Sequence, residues 1–167
     1  MGTTFVGIDR TGFWMTDSML ELWLRLAALH IEDPTSGSSL ASKVRDQWLL
    51  ASRGYFQGHV PHGIGDLIST EEGRSLVAQT VVGLRAKLMA APELLDFHVL
   101  NLLGFDQSFG RSIERWRLIE VCDAITALLE RRISCDVSST AFMPGCGKEP
   151  IQLPEPMSGL APGHGSS

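Results

Sequence analysis

Residues 16–32, TDSMLELWLRLAALHIE, decide the fold, because they predict a helix that is apolar around most of its circumference. Projected at about 100° per residue, the polar side chains share one narrow arc, and large aliphatic and aromatic residues fill the rest. An ordinary surface helix has nearly the reverse proportion. The stretch therefore predicts a helix that runs through the middle of a bundle or gives part of its surface to another molecule. The polar arc consists of Asp17, Ser18, Glu21, Arg25 and Glu32.

One side chain of this helix, His30, lies within the apolar arc rather than on the polar one. A buried neutral imidazole needs a hydrogen-bond partner. His30 is therefore either a pH-sensitive or catalytic group in a cleft, or a residue at the helix end that bonds to a nearby carbonyl oxygen. The second interpretation is the simpler one.

Four later segments also have the period of a helix, and capping or breaker residues mark their ends. One covers residues 39–53. The next begins at Ser69, whose spacing from Glu72 is that of a capping box. The last two segments run from Pro92 to the terminating Gly104 and from residue 108 or 112 to residue 133, which makes five predicted helices with the first one.

Apolar stripes predict which face of each helix is buried. The helix that begins at Ser69 has a regular stripe of Val77, Val81, Leu84 and Leu88. For the helix between Pro92 and Gly104, the same rule predicts an inner face made by Leu95, Val99 and Leu102.

The two ends of the chain lack a helical pattern. Phe5, Val6 and Ile8 precede a turn at residues 9–12, which indicates a short strand or an arm laid over the bundle. From residue 136 onward, five prolines and repeated glycines preclude a regular helix or a central strand. The apolar residues that offer this segment anchors on the bundle are Phe142, Met143, Ile151 and Leu153.

The sequence therefore predicts an all-α fold: a single-domain bundle of about five helices in residues 1–135, followed by an extended or mobile Pro/Gly-rich C-terminal segment in residues 136–167. A chain of 167 residues with 44% hydrophobic and 20% charged residues suits one globular domain.

Charge and composition limit the classes of molecule that this chain is expected to bind. A net charge of −5 argues against binding to a nucleic-acid backbone, which depends on clustered Lys and Arg. The N-terminus lacks the pattern of a secretion signal, and the first helix is too short and too charged to span a membrane. Three cysteines without a CxxC pair fit a reducing compartment. We therefore expect an acidic, soluble, cytoplasmic protein with neither a nucleic-acid nor a membrane partner.

The best candidate for a metal site is the glycine-rich loop at residues 54–68. His59 and His62 have H-x-x-H spacing, and Asp66 follows four residues later. Imidazole and carboxylate groups bind zinc or iron, but a site needs three or four ligands, and His98 is a candidate for another. The simpler alternative is that the loop histidines cap helix ends or face the solvent. No catalytic residue is predicted, because the nucleophile-elbow, Walker and dinucleotide-binding motifs are absent from the sequence.

Without a catalytic motif, a non-enzymatic protein-binding module is the favoured function, most concretely a toxin-neutralising immunity-type protein or an adaptor, with no cofactor. The alternative is a metal-dependent helical enzyme or a metal-binding protein that uses the His59/His62 loop. Enzyme activity is thus uncertain and the prediction leans against it. The partner is expected to be another protein, and a homodimer through the first helix is a further alternative. The predicted partner-binding residues are Phe13, Trp14, Trp23, Tyr55 and Phe56.

Overall fold

The structure is a computed structural model, which describes residues 2–31, 40–56 and 58–154. Within these residues, six helices account for 49% and two small antiparallel sheets for 12%. The predicted all-α class is therefore wrong, and the fold is mixed but dominated by helices. In chain order, the elements are β1 (Thr3–Ile8), β2 (Thr11–Thr16), α1 (Asp17–His30), α2 (Leu40–Ala51), α3 (Ile64–Ile68), α4 (Glu71–Ala90), β3 (Leu94–Leu95), α5 (Phe97–Asn101), β4 (Ile113–Glu114) and α6 (Arg115–Leu129).

The N-terminal hairpin of β1 and β2 is the main departure from an all-helical fold. The strands pair in antiparallel register from Thr3 with Thr16 to Ile8 with Thr11. Asp9 occupies the connecting turn with a φ of 52°, a left-handed conformation that Asp tolerates better than most residues. The sequence left the first segment as either a short strand or an arm laid over the bundle, and the structure shows a strand. Its partner strand was missed because the apolar residues 13–15 run directly into the pattern of the first helix.

Helix α1 runs through the middle of the fold, which was one of the two alternatives. Nine of its 14 residues are buried, including two from the predicted polar arc, Asp17 and Arg25. Trp23 packs against Trp48 of α2, and its Nε1 donates a hydrogen bond to the Cys122 sulfur of α6. Glu32, also assigned to the polar arc, lies outside the described residues, as does residue 39 at the predicted start of the second helix.

Helices α4 and α6 pack antiparallel. Arg74, near the start of α4, donates to the Leu129 carbonyl oxygen at the end of α6, and Arg115 at the start of α6 donates to the Met89 carbonyl oxygen. The N-cap of α4 is Thr70 rather than Ser69, since the Thr70 hydroxyl oxygen accepts from the Gly73 N–H at 3.1 Å. The apolar stripe predicted for this helix is confirmed, because all four of its residues are buried: Val77, Val81, Leu84 and Leu88.

The helix predicted between Pro92 and Gly104 is wrong over most of its length. Leu94–Leu95 instead pairs with Ile113–Glu114, and the carboxylate of Asp96 caps a short helix by accepting from the His98 N–H at 2.7 Å. Strand pairing on one side and a cap on the other leave only one turn of helix, α5. As a result, Val99 and Leu102, predicted to face inward, are exposed.

Residues 133–154 lie across the hairpin and α6. Trp14 Nε1 donates to the Val137 carbonyl oxygen at 2.8 Å, and the Phe142 ring meets Phe13 edge-on. The carboxylate of Glu120, which is only 5% exposed, accepts hydrogen bonds from the backbone N–H groups of Gly145 and Ile151. We call residues 136–154 the strap, because buried contacts hold this segment to the rest of the fold.

Candidate functional site

An apolar groove of about 460 Å³ lies between the last turn of α1, the second half of α4 and residues 91–103. Most of its lining is aliphatic, and the polar side chains among the lining residues are His30, Lys87 and Asp96. The volume is in the range of natural binding pockets, roughly 300 to 1,000 Å³. The groove is therefore large enough to receive several apolar groups of another molecule.

The lip of the groove is formed by large aliphatic side chains that are more than half exposed. Leu29 of α1 is 57% exposed, Leu94 of β3 is 55% exposed and Val99 of α5 is 59% exposed. Single exposed apolar residues are common on protein surfaces, but a cluster around a concave apolar surface is typical of an interaction site.

Local sequence explains why the groove stays open. Helix α1 ends at His30, whose ring lies against Gly83 of α4 so closely that a Cβ at position 83 would sit 2.2 Å from its Nε2. Asp96 then starts α5 as a separate short helix. The groove is the space between the contact of His30 with Gly83 on one side and the start of α5 on the other. His30 is thus half-buried at the helix end and lines the groove.

No protein-family model, curated protein or solved structure matches this chain.

Among the described residues, no helix is both long enough and apolar enough to cross a membrane.

The candidate metal ligands do not converge. His59, Asp66 and His98 are exposed, and His98 stacks on the neighbouring Phe97 ring at 3.9 Å between centroids. Within residues 2–31, 40–56 and 58–154, no three His, Cys, Asp or Glu side chains are grouped so that they can hold a metal ion.

His62 has a structural role in the hairpin and α3. Its Nε2 lies 3.0 Å from the Phe5 carbonyl oxygen, and its Nδ1 accepts from the Ile64 N–H at 3.0 Å. Nε2 must therefore carry the proton and donate to Phe5. Burial lowers the pKa of His62 and favours this neutral form. Because Nε2 is protonated and the Nδ1 lone pair accepts from Ile64, neither ring nitrogen is available to a metal in this conformation.

The five predicted partner-binding residues lie in different environments. Phe13 and Trp23 have no accessible surface and belong to the core, so neither side chain can contact a partner in this conformation. Trp14 is half-buried and is bonded to the strap. Phe56 is also half-buried and packs against the core, whereas Tyr55 is exposed. None of the five lines the groove.

Sequence reasoning missed the aliphatic lip for a definable reason. Leu95, Val99 and Leu102 have the spacing of a buried helix face, and that rule assigned them to the core. The one available signal was Asp96, since an Asx side chain followed by a helical segment favours an N-cap at that position. A break at Asp96 would have shortened the helix and put its assigned inner face in doubt.

Proposed function

We propose that this chain is a non-enzymatic protein-binding module whose groove takes an apolar segment of another protein. The observation that carries the proposal is the aliphatic lip of Leu29, Leu94 and Val99 around a concave apolar surface. Immunity-type and adaptor roles both require such binding, and both stay predictions. The buried thiol of Cys122 and the absence of disulfides among the described cysteines support a cytoplasmic location.

The groove sets a scale for the affinity. Fully burying a large aliphatic side chain contributes about 1.5 to 3 kcal/mol, so three half-exposed lip residues contribute about 2 to 5 kcal/mol together. The partner's own apolar side chains contribute a similar amount, and the loss of translational and rotational freedom offsets much of the sum. At most about 6 kcal/mol remains, so we expect an affinity from the groove alone no tighter than about 40 µM.

The polar groups of the groove indicate what the partner segment carries. Lys87 and Asp96 have opposite charges and both line the groove. An amphipathic helix suits this arrangement, because its apolar face enters the groove while an acidic and a basic side chain at its edges meet these two residues. The occupant we propose is such a helix from a different protein.

Position-specific photo-crosslinking in the native host tests the proposal. A photoreactive phenylalanine analogue replaces Val99 in one variant and Val82 in the other. Val82 is the matched control, because it is a valine on α4 that is 66% exposed but does not line the groove. The crosslinked peptide is then sequenced, and circular dichroism checks that both variants fold.

The proposal predicts one protein crosslinked from position 99 and not from position 82, through a segment with an amphipathic helical pattern. Crosslinks to a second copy of this chain would replace the proposed partner with a homodimer, which sedimentation would show as about twice 18.2 kDa. Equal crosslinking from both positions, or none from position 99, would refute the proposal.

A further inference from the structure

A second cleft, separate from the apolar groove, has two arginines in its wall. It measures about 330 Å³ and is lined by Arg25 of α1, Leu49 and Leu50 of α2, Arg53 just after α2, and Gly104. Two guanidinium groups repel each other, and in a chain with a net charge of −5 their position around one cleft requires an explanation.

Among residues 2–31, 40–56 and 58–154, no carboxylate forms an ion pair with Arg25. Its Nη2 donates to the Gly104 carbonyl oxygen at 3.1 Å, and its guanidinium carbon lies 5.2 Å from the centre of the Phe105 ring. The side chain is only 8% exposed, and its Nε has no hydrogen-bond partner in the part of the chain that the structure describes. Burying a charged donor without an acceptor destabilises the fold, because the group loses its hydrogen bonds to water. Nearly all buried polar groups in proteins are therefore hydrogen-bonded.

The nearest carboxylates compensate the cleft poorly. Glu21 stands one helical turn before Arg25, a spacing that favours an ion pair, but burial, followed by the charge of Asp17, raises the pKa of Glu21 to about 7. A direct bond to Arg25 would lower it instead. Asp106 forms an ion pair with Arg53, but its carboxylate oxygen lies 3.8 Å from the Arg53 Nε, too far for a hydrogen bond, and it is one carboxylate beside two arginines. The cleft therefore keeps excess positive charge.

We propose that this cleft binds a carboxylate carried on an apolar group, with the carboxylate between the guanidinium groups of Arg25 and Arg53. A carboxylate oxygen supplies the acceptor that the Arg25 Nε lacks, and its charge offsets the repulsion between the two arginines. Leu49 and Leu50 provide an apolar wall for the rest of the ligand. Because the Arg25 Nε is buried, the proposed site requires the exposed side chain of Leu50 to rotate on binding, while Arg53 stays beside the carboxylate.

Nuclear magnetic resonance of the arginine Nε–H groups tests this site. The whole chain, labelled with ¹⁵N, is titrated at low ionic strength with hexanoate, with hexanamide and with inorganic phosphate. Hexanamide has the same apolar tail without the charge, and phosphate has charge without the tail. The variant Arg53→Gln replaces an exposed side chain and leaves the buried Arg25 unchanged, so we expect it to fold normally. Arg111→Gln, also on the surface, is the control.

We expect hexanoate to shift the Nε–H signals of Arg25 and Arg53 saturably, with at least tenfold weaker binding of hexanamide. Arg53→Gln weakens hexanoate binding at least fivefold, and Arg111→Gln changes it less than twofold. Arg25→Lys identifies the Arg25 signal by its loss. Shifts without saturation, or equal binding by the two glutamine variants, would overturn the site. Phosphate binding as tight as hexanoate binding would overturn the assignment of an apolar carboxylate.

Discussion

Glu120 offers the sharpest test of how the strap is held. Its carboxylate is only 5% exposed and accepts from two backbone N–H groups, at Gly145 and Ile151. In Glu120→Gln, one oxygen remains as an acceptor, and the new amide places its own N–H against the second backbone donor. The change loses a charge-assisted bond, about 1.5 to 3 kcal/mol, and leaves a buried donor unsatisfied. We expect the strap to be destabilised by about 2 to 4 kcal/mol.

Two measurements separate a local effect from a global one. Hydrogen exchange reports the opening of the strap, and the amides of Gly145 and Ile151 should exchange at least about 30-fold faster in the variant, since 1.4 kcal/mol is a factor of ten. If the strap opens only with the whole fold, the melting temperature falls by about 5 to 15 °C.

The matched control is Glu130→Gln. Glu130 is exposed and forms an ion pair with Arg132, so its replacement should change the free energy of unfolding by less than about 0.5 kcal/mol. If Glu120→Gln alters both exchange and melting as little as Glu130→Gln does, the carboxylate does not hold the strap and the reasoning is refuted.

Three further perturbations follow from particular contacts. Because the pKa of Glu21 is raised from 4.5 to about 7, its ionised form destabilises the fold. The free energy of unfolding should thus fall between pH 4.5 and 7 relative to Glu21→Gln, by about 1 kcal/mol after allowance for solvent screening; parallel pH profiles would contradict this. Gly73→Ala places a Cβ 2.1 Å from the Leu67 carbonyl oxygen, and this clash should outweigh the helix preference of Ala, so urea unfolding should show a net loss of about 1 to 2 kcal/mol. Burial raises the pKa of the Cys122 thiol to about 11, so iodoacetamide at pH 8 should label the other two cysteines at least tenfold faster, as mass spectrometry would show.

Local patterns predicted the parts of the fold that local physics controls. The stripe of α4 was read correctly, because its burial repeats with the period of the helix itself. The apolar circumference of α1 predicted either a central helix or one that gives part of its surface to another molecule, and in the structure nine of its 14 residues are buried. Of the four predicted anchors, Phe142, Ile151 and Leu153 pack on the core or within it, and Met143 does not belong to that cluster.

The remaining errors come from contacts between distant parts of the chain. Strand β3 exists because residue 94 pairs with Glu114, twenty positions away, and nothing in the local sequence of either strand requires that pairing. The candidate groove depends on the same pairing, which fixes where α5 begins and turns Val99 outward. Of the five residues predicted to bind a partner, Phe13 and Trp23 have no accessible surface in the structure.

The most direct test of the groove uses the partner protein identified by photo-crosslinking, purified on its own. Isothermal titration calorimetry then measures its affinity for two valine variants of this chain. Val99→Asp puts a charge into the apolar groove, where burial without a counter-charge costs at least about 2 kcal/mol, and should weaken binding about 30-fold or more. Val82→Asp adds the same charge to α4 away from the groove and should change the dissociation constant less than twofold. Equal dissociation constants for the two variants would contradict the central claim that this groove is the docking surface.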